Sequence, residues 1–282
     1  MIELSNLSFK YPGQKAQVFD DFSLRLEENK VYGLLGKNGT GKSTLLYLVS
    51  GLLRPVAGSV RVDSVDTHKR QTETLQEIFL VPEEFDLPSM TLELYVKLNA
   101  PFYPRFSREV LERCLQDFEL TPDVNLKALS MGQKKKVFMS FALATNTRYL
   151  LMDEPTNGLD IPSKSQFRKV VAQNMTDERT VVISTHQVHD VEALLDHILI
   201  LSQHELLLNA PVSDLTARYV FEYRPVDSGS SLNEASQGQS APVIYSEPTL
   251  QGNAVMAKRR EGDAETQLNL ELLFNAVTKQ RI

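Results

Sequence analysis

The sequence predicts an α/β protein in which a mainly parallel sheet is covered by helices. Five short apolar runs indicate buried strands, and helical stretches lie between several of them. The runs cover residues 31–35, 78–81, 149–152, 181–184 and 198–201. A glycine-rich segment follows the first run directly and leads into an apolar helical pattern, as expected at the edge of such a sheet.

The N-terminal sixty or so residues predict an antiparallel β subdomain. Apolar residues roughly alternate with polar ones from Ile2 to Phe9, from Phe22 to Leu26, and again at Val60 and Val62. This period of two is typical of half-exposed antiparallel strands.

Residues 89–145 predict a helical subdomain inserted into the α/β core. The segment has no convincing strand pattern, and Ser107 is a plausible N-cap. It precedes an apolar stripe at helical spacing that includes Leu111, Cys114 and Phe118. We therefore interpret Cys114, the only cysteine, as a core residue.

The composition changes after Leu215, which predicts a main domain of residues 1–215 and a small C-terminal α+β appendage of residues 216–282. Strand-like runs at 219–223 and 254–257 precede a closing helix at 268–277. The segment 227–253 is rich in Ser, Gly, Gln, Asn and Pro and is expected to be a flexible loop.

Composition limits the function of these 282 residues. The formal net charge is −6, so there is no overall positive field for nucleic acid, and none is expected as a partner. One cysteine excludes an intrachain disulfide and a cysteine metal cluster. No secretion signal and no membrane-length apolar run is visible, so a soluble cytoplasmic protein is expected. The run Lys134-Lys135-Lys136 is interpreted as a solvated helix face.

The glycine-rich segment predicts a P-loop NTPase core. It fits G-x-x-x-x-G-K-[ST] between a strand and a helix, where backbone N–H groups and the helix N-terminus bind phosphate. Lys42 would reach the β- and γ-phosphates, and Ser43 would ligate Mg²⁺. The predicted phosphate-binding residues are Gly36, Lys37, Asn38, Gly39, Thr40, Gly41, Lys42, Ser43 and Thr44. This motif alone leaves ATPases, GTPases and small-molecule kinases open.

An acidic pair ends the apolar run at 149–152. Asp153 can hold the Mg²⁺ shell through water, as in other phosphate-loop enzymes. Glu154 can accept a proton from the water that attacks the γ-phosphate. We therefore predict Glu154 as the catalytic base.

Several motifs in order resemble those of ABC-type ATPases over residues 1–215. Leu129-Ser130-Met131-Gly132-Gln133 is similar to the family signature LSGGQ, and residues 153–160 are similar to its Walker B motif and D-loop. Ser184-Thr185-His186 resembles the switch histidine, and Tyr11 resembles the aromatic residue that stacks on adenine. Within the family, the chain resembles the ATPases of bacterial ABC-2-type exporters.

The resemblance implies a homodimer, or a dimer with a close paralogue, in which ATP lies between the phosphate loop of one copy and the signature of the other. Ser130, Gly132 and Gln133 would then face the partner's ATP, and Asp160 would lie at the dimer seam. His186 would contact the γ-phosphate or the attacking water. The family also implies a separate transmembrane permease, which would hold the ATPase at the inner face of the cell membrane. The helical subdomain and the region of Glu83 would receive the permease.

Two residues depart from the family pattern. Glu83 replaces a glutamine that usually touches Mg²⁺, and Met131 replaces the first signature glycine. A carboxylate at position 83 can still ligate Mg²⁺ but adds negative charge near the γ-phosphate. Two alternatives stay open: an ABC ATPase acting on ribosomes or DNA, and an ATP switch that does not hydrolyse.

Overall fold

The computed structural model describes residues 1–225, 242–250 and 252–280. The strands are β1 (Ile2–Phe9), β2 (Phe19–Leu26), β3 (Val31–Leu35), β4 (Ala57–Val62), β5 (Val65–Asp66), β6 (Ile78–Val81), β7 (Tyr149–Asp153), β8 (Thr180–Thr185), β9 (His197–Ser202), β10 (Glu205–Pro211), β11 (Tyr219–Arg224), β12 (Val243–Thr249) and β13 (Gly252–Lys258). The α-helices are α1 (Lys42–Val49), α2 (Thr72–Leu75), α3 (Leu92–Asn99), α4 (Arg108–Asp117), α5 (Met131–Ala144), α6 (Ile161–Gln173), α7 (Val212–Arg218) and α8 (Leu270–Gln280).

The central sheet confirms the predicted mainly parallel core. Its strand order is β10-β9-β3-β8-β7-β6, and only β10 runs antiparallel to its neighbour. All residues of β3, β7 and β8 are buried, as the continuous apolar runs predict. Because these three strands are adjacent and parallel, their carboxyl ends bring three separate chain segments to one edge of the sheet.

A second sheet, ordered β2-β1-β4-β5, confirms the predicted antiparallel subdomain. Its inward side chains share a hydrophobic core with α1 and with one face of the central sheet. This packing fixes the helix that follows the phosphate loop.

Residues 89–145 form helices between β6 and β7, which confirms the inserted helical subdomain. The Ser107 hydroxyl accepts a hydrogen bond from the Val110 N–H at 3.2 Å and caps α4, as predicted. Cys114 is fully buried, and this burial raises the pKa of its thiol to about 11. Cys114 is therefore an unreactive core residue.

The C-terminal region differs in part from the prediction. Within the predicted loop 227–253, residues 227–241 and 251 lie outside the described residues. The prediction of a loop is wrong for 243–249, which form β12, and for 252–253, which begin β13. The pairing of β12 with β13 and the burial of Tyr245 outweigh the local polar composition. The predicted boundary after Leu215 falls inside α7. The predicted closing helix is confirmed as α8, and its Leu272 and Leu273 belong to the same core cluster as the central sheet.

In the part of the chain that the structure describes, every helix is too short or too polar to cross a membrane.

Candidate nucleotide site

The phosphate loop leaves β3 after Leu35 and enters α1 at Lys42. Gly36 packs so closely that a Cβ there would lie 2.6 Å from Thr40 Oγ1 and 2.7 Å from the Leu201 carbonyl oxygen. Gly41 caps α1 with a φ of 100°, a conformation that strongly favours glycine. These glycines let the loop fold tightly over the N-terminus of α1, whose free N–H groups can bind an anion.

Lys42 lies buried beneath this loop, with only 6% of its side chain exposed. Its Nζ donates hydrogen bonds to the carbonyl oxygens of Gly36 (2.8 Å) and Lys37 (3.3 Å). The same Nζ is 3.7 Å from Glu154 Oε1. Burial lowers the pKa of Lys42, whereas the charge of Glu154 opposes that shift. The loop thus holds a cation next to the predicted catalytic carboxylate.

Glu154 stands at the end of β7 in a strained backbone conformation with a φ of 45°. Its N–H donates to the Ser184 carbonyl at 2.9 Å. Its carboxylate accepts hydrogen bonds from Thr185 Oγ1 at 3.0 Å and from the backbone N–H of His186 at 3.1 Å. Contacts from β8 therefore fix both the backbone and the side chain of Glu154.

The structure brings Glu154 and His186 into direct contact. His186 Nδ1 lies 2.8 Å from Glu154 Oε1, so the ring is oriented by the carboxylate. Glu154 is buried, whereas the His186 side chain is 38% exposed. The pair can therefore present a carboxylate and an imidazole edge to a bound molecule.

Asp153 is buried one residue before Glu154. Its Oδ1 accepts a hydrogen bond from Ser184 Oγ at 2.8 Å, whereas Oδ2 has no hydrogen-bond partner among the described residues. Burial raises the pKa of Asp153, and the nearby Ser43 and Ser184 hydroxyls partly oppose this. A buried carboxylate oxygen without a partner, close to a serine hydroxyl, suits a hard cation such as Mg²⁺.

Protein side chains supply only part of such a cation site. Within residues 1–225, 242–250 and 252–280, no three His, Cys, Asp or Glu side chains gather as a metal site. Ser43 and Asp153 therefore fit Mg²⁺ only if phosphate oxygens and water complete its oxygen shell.

A cavity of about 610 Å³ is lined by half of the predicted site residues. Its lining includes Tyr11, Lys42, Ser43, Glu83 and Glu154. The remaining lining residues are Gln14, Ala16, Gln17, Val18, Asn38, Gly39, Gly41, Thr44 and His204. The volume and the charged loop suit a nucleotide.

Tyr11 lies at this cavity from the side of the antiparallel subdomain. Its hydroxyl is 2.9 Å from Thr44 Oγ1, and its ring packs edge-on against Phe9 with centroids 5.0 Å apart. His204, which belongs to no sequence motif, lies in the turn after β9 and lines the same cavity. Its place in the sequence could have indicated this position, because it follows a strand of the parallel sheet and so lies at the edge that carries the phosphate loop.

Glu83 follows β6 and lies at the exposed rim of the cavity. Its Oε1 accepts a hydrogen bond from Asn157 Nδ2 at 2.9 Å. Its charge acts on Lys42, since it opposes the lowering of that lysine's pKa. Glu83 therefore adds negative charge where phosphate would bind.

Replacing Glu83 by glutamine is expected to tighten ATP binding at low Mg²⁺ by about 3–10-fold, because one charge near the phosphates is removed. The measurement is an ATP titration at a series of Mg²⁺ concentrations. Glu84→Gln removes the same charge from the neighbouring exposed residue and is the control. An unchanged Mg²⁺ dependence for Glu83→Gln would place Glu83 away from the metal.

The predicted signature residues lie elsewhere on the surface. Ser130 caps α5: its Oγ accepts from the Gln133 N–H at 3.3 Å, and Gln133 Oε1 accepts from the Ser130 N–H at 3.0 Å. Both are exposed, and neither these residues nor Gly132 lines the cavity with Lys42. Exposed Asp160 caps α6, its Oδ1 accepting from the Ser163 N–H at 2.9 Å. One chain therefore does not bring its own signature to its own phosphate loop.

The interpretation of the lysine run as a solvated face is wrong for Lys135. Its side chain is 5% exposed, and Nζ donates to the carbonyl oxygens of Glu154 (3.0 Å) and Asn157 (2.7 Å). The available signal was helical spacing, since Met139 and Ala142, four and seven residues later, are also buried.

Comparisons with known proteins agree with this geometry. Residues 19–157 match the family model described as ABC transporter. The chain is 31% identical over 227 residues to the ABC transporter ATP-binding protein NatA of Bacillus subtilis, covering 76% of this chain and 91% of NatA. It is 31% identical over 229 residues to the methionine import ATP-binding protein MetN of Carboxydothermus hydrogenoformans, covering 76% and 67%.

A solved structure extends the likeness to three dimensions. The dimeric post-hydrolysis state of the ATP-binding cassette MJ0796 bound to ADP and Pi has a TM-score of 0.67 and 26% identity. The match covers 75% of this chain and 99% of that one. This chain therefore belongs to the ABC transporter family, as an ATP-binding subunit that hydrolyses ATP.

Proposed function

We propose that two copies of this chain close around ATP, hydrolyse it at their shared interface and drive a separate membrane permease. One observation carries the proposal. The cavity is lined by Lys42 and Glu154, and Glu154 is 2.8 Å from His186, whereas the signature helix α5 begins at an exposed surface outside the cavity. A second copy would supply the missing helix terminus to the nucleotide.

Each residue then has a defined task. The loop N–H groups and Lys42 bind the β- and γ-phosphates, and Tyr11 packs against adenine. Ser43 and Asp153 would hold Mg²⁺, which would supply positive charge that offsets the charge of the phosphates. Glu154 accepts the proton of the attacking water, and His186, held by Glu154, orients that water or the γ-phosphate.

The surface near the signature supports the pairing of two copies. Met131 beside Ser130 is 61% exposed, and Ile161 beside Asp160 is 84% exposed. Large apolar side chains at these positions favour burial in an interface. Solved neighbours include dimers of an ATP-binding cassette, one of them titled a post-hydrolysis state. We infer that Asp160 and Ile161 lie at the seam of a homodimer.

The permease is proposed from the relatives and from an apolar surface on the helical subdomain. Leu94, Leu98 and Phe102 are 44%, 52% and 65% exposed, and we call these three the α3 patch. The patch suits a membrane partner's apolar helix. This contact would hold the ATPase at the inner face of the membrane.

We propose export as the direction of transport, in addition to the role in transport itself. Export rests on the resemblance to ABC-2-type exporter ATPases, including the C-terminal appendage. The bacitracin transport ATP-binding protein BcrA of Bacillus licheniformis, which is 27% identical and covers 77% of this chain and 72% of BcrA, is named for transport without a direction. MetN is named for import.

The test is purification of the tagged chain from detergent-solubilised membranes of its host. The expected result is a co-purifying multi-span protein, which is lost in Phe102→Ser while ATPase activity is kept. Leu52→Ser, at a 58% exposed leucine outside the helical subdomain, is the control and should keep the partner. Capture of ribosomes or DNA alone would favour the alternative and contradict the permease.

A further inference from the structure

Lys135 forms a direct link between the signature helix and the catalytic turn. It lies on the second turn of α5, the helix that Ser130 caps. Its Nζ donates to the carbonyl oxygen of Glu154 at 3.0 Å and to that of Asn157 at 2.7 Å. One side chain thus ties α5 to both ends of the turn that follows β7.

That turn contains one carboxylate of the site, Glu154, and contacts another, Glu83. The Asn157 N–H donates to the Glu154 carbonyl at 3.1 Å, which closes the turn, and Asn157 Nδ2 donates to Glu83 at 2.9 Å. Glu154 itself has a strained φ of 45°. Such a conformation persists only when its surroundings hold it, and the Lys135 ammonium is one of the groups that hold it.

The charge of Lys135 is costly to bury for packing alone. Its side chain is 5% exposed, and burial lowers its pKa. The nearby Glu83, Glu154 and Asp153 charges oppose this shift. In the described part of the chain no carboxylate lies within salt-bridge distance of its Nζ, so its bonds go to backbone oxygens. The ammonium therefore acts on the position of the turn.

We propose that Lys135 is a positioning residue that couples the signature helix to Glu154 of the same chain. This inference rests on the proposed pairing of two copies. The partner's ATP, once bound at the N-terminus of α5, would fix that helix. Lys135 would then fix the turn and hold Glu154 in its hydrolytic position. Each ATP site would thereby depend on the occupancy of the other.

The test compares Lys135→Met, Lys135→Gln and the control Lys134→Met in steady-state ATP hydrolysis. Met removes both hydrogen bonds at similar length, whereas Gln keeps a donor group. We expect kcat of Lys135→Met to fall about 10–100-fold, because misplacing a catalytic group by about 1 Å costs up to ~10²-fold. The KM for ATP should change little. The kcat of Lys135→Gln should lie between those of Lys135→Met and the wild type. The kcat of Lys134→Met should match that of the wild type.

Two further readouts separate positioning from general structural damage. The Hill coefficient for ATP should fall from roughly two toward one in Lys135→Met, because the sites become uncoupled. In a Glu154→Gln background, Lys135→Met should cause little additional loss of turnover, since both act through one carboxylate. Additive losses, or a kcat equal to that of Lys134→Met, would overturn the proposal. If Lys135→Met fails to fold, the same criteria apply to Lys135→Gln.

A parallel measurement separates this inference from the pairing on which it rests. Glu154→Gln should form a dimer on addition of ATP and Mg²⁺, as measured by analytical ultracentrifugation. If that dimer never forms, the proposed function fails and the coupling fails with it. If the dimer forms while Lys135→Met hydrolyses ATP with wild-type kcat and cooperativity, only the proposed coupling through Lys135 is wrong, and the pairing stands.

Discussion

Replacing Glu154 by glutamine is expected to lower the kcat of ATP hydrolysis by about 10²–10⁴-fold, the range that general-base catalysis contributes. The amide keeps the size of the side chain but cannot accept the proton of the attacking water. Thr185 Oγ1 and the His186 N–H both donate to Glu154 Oε2, at 3.0 and 3.3 Å, and can still donate to an amide oxygen in that position. The geometry should therefore survive while the chemistry stops.

The measurement is single-turnover and steady-state hydrolysis at saturating ATP and Mg²⁺, together with ATP affinity. Affinity should stay within a few-fold of the wild type, because Lys42 and the loop are intact. Glu178→Gln, at a carboxylate with a 76% exposed side chain, removes an equal charge and is the control. Wild-type turnover in Glu154→Gln would remove Glu154 from the role of catalytic base.

Replacing Lys42 by methionine is expected to raise the Kd for ATP by roughly 10²–10³-fold, since charge-assisted hydrogen bonds each contribute ~1.5–3 kcal/mol. The lysine is poised for the phosphates by its bonds to the Gly36 and Lys37 carbonyl oxygens. In the wild type, Lys42 Nζ lies 3.7 Å from the buried Glu154 carboxylate. Without this ammonium, the negative charge of Glu154 repels the phosphates more strongly.

Fluorescence titration with a labelled ATP analogue measures this effect. Lys69→Met, at an exposed lysine outside the cavity lining, is the matched control and should bind as the wild type. A Kd for Lys42→Met within a few-fold of the control would show that the phosphates bind elsewhere.

Much of the fold follows from local sequence patterns. The runs at 31–35 and 78–81 match β3 and β6 to the residue, because parallel strands that are wholly or mostly buried need continuous apolar sequence. The phosphate loop follows from its glycines. A Cβ at Gly36 would clash with Thr40, and Gly41 has a positive φ. By contrast, β12 depends on its partner strand β13, which its polar composition does not reveal.

The site was predictable as a set of residues but not as a set of contacts. Separate motifs point to Glu154 and His186, yet their 2.8 Å contact follows from the parallel pairing of β7 with β8. The run of three lysines predicts a solvated side chain at Lys135, because such runs usually lie on a solvated helix face. The burial of Lys135 depends on the turn from Glu154 to Asn157, which offers two carbonyl oxygens from a distant part of the chain.

Complementation between two inactive variants tests most directly whether each ATP site is built from two copies. Lys42→Met disables the phosphate loop, and Ser130→Arg blocks the signature, so each variant alone should be nearly inactive. In an equal mixture, half of the dimers carry one intact site, so the mixture should hold between its copies about a quarter of the ATP that the wild type holds. Turnover should recover by less than a quarter, because the coupling through Lys135 requires ATP at the neighbouring site, which is disabled in these dimers. A mixture that holds no more ATP between its copies than its components do, or wild-type hydrolysis by Ser130→Arg alone, would contradict the two-copy site.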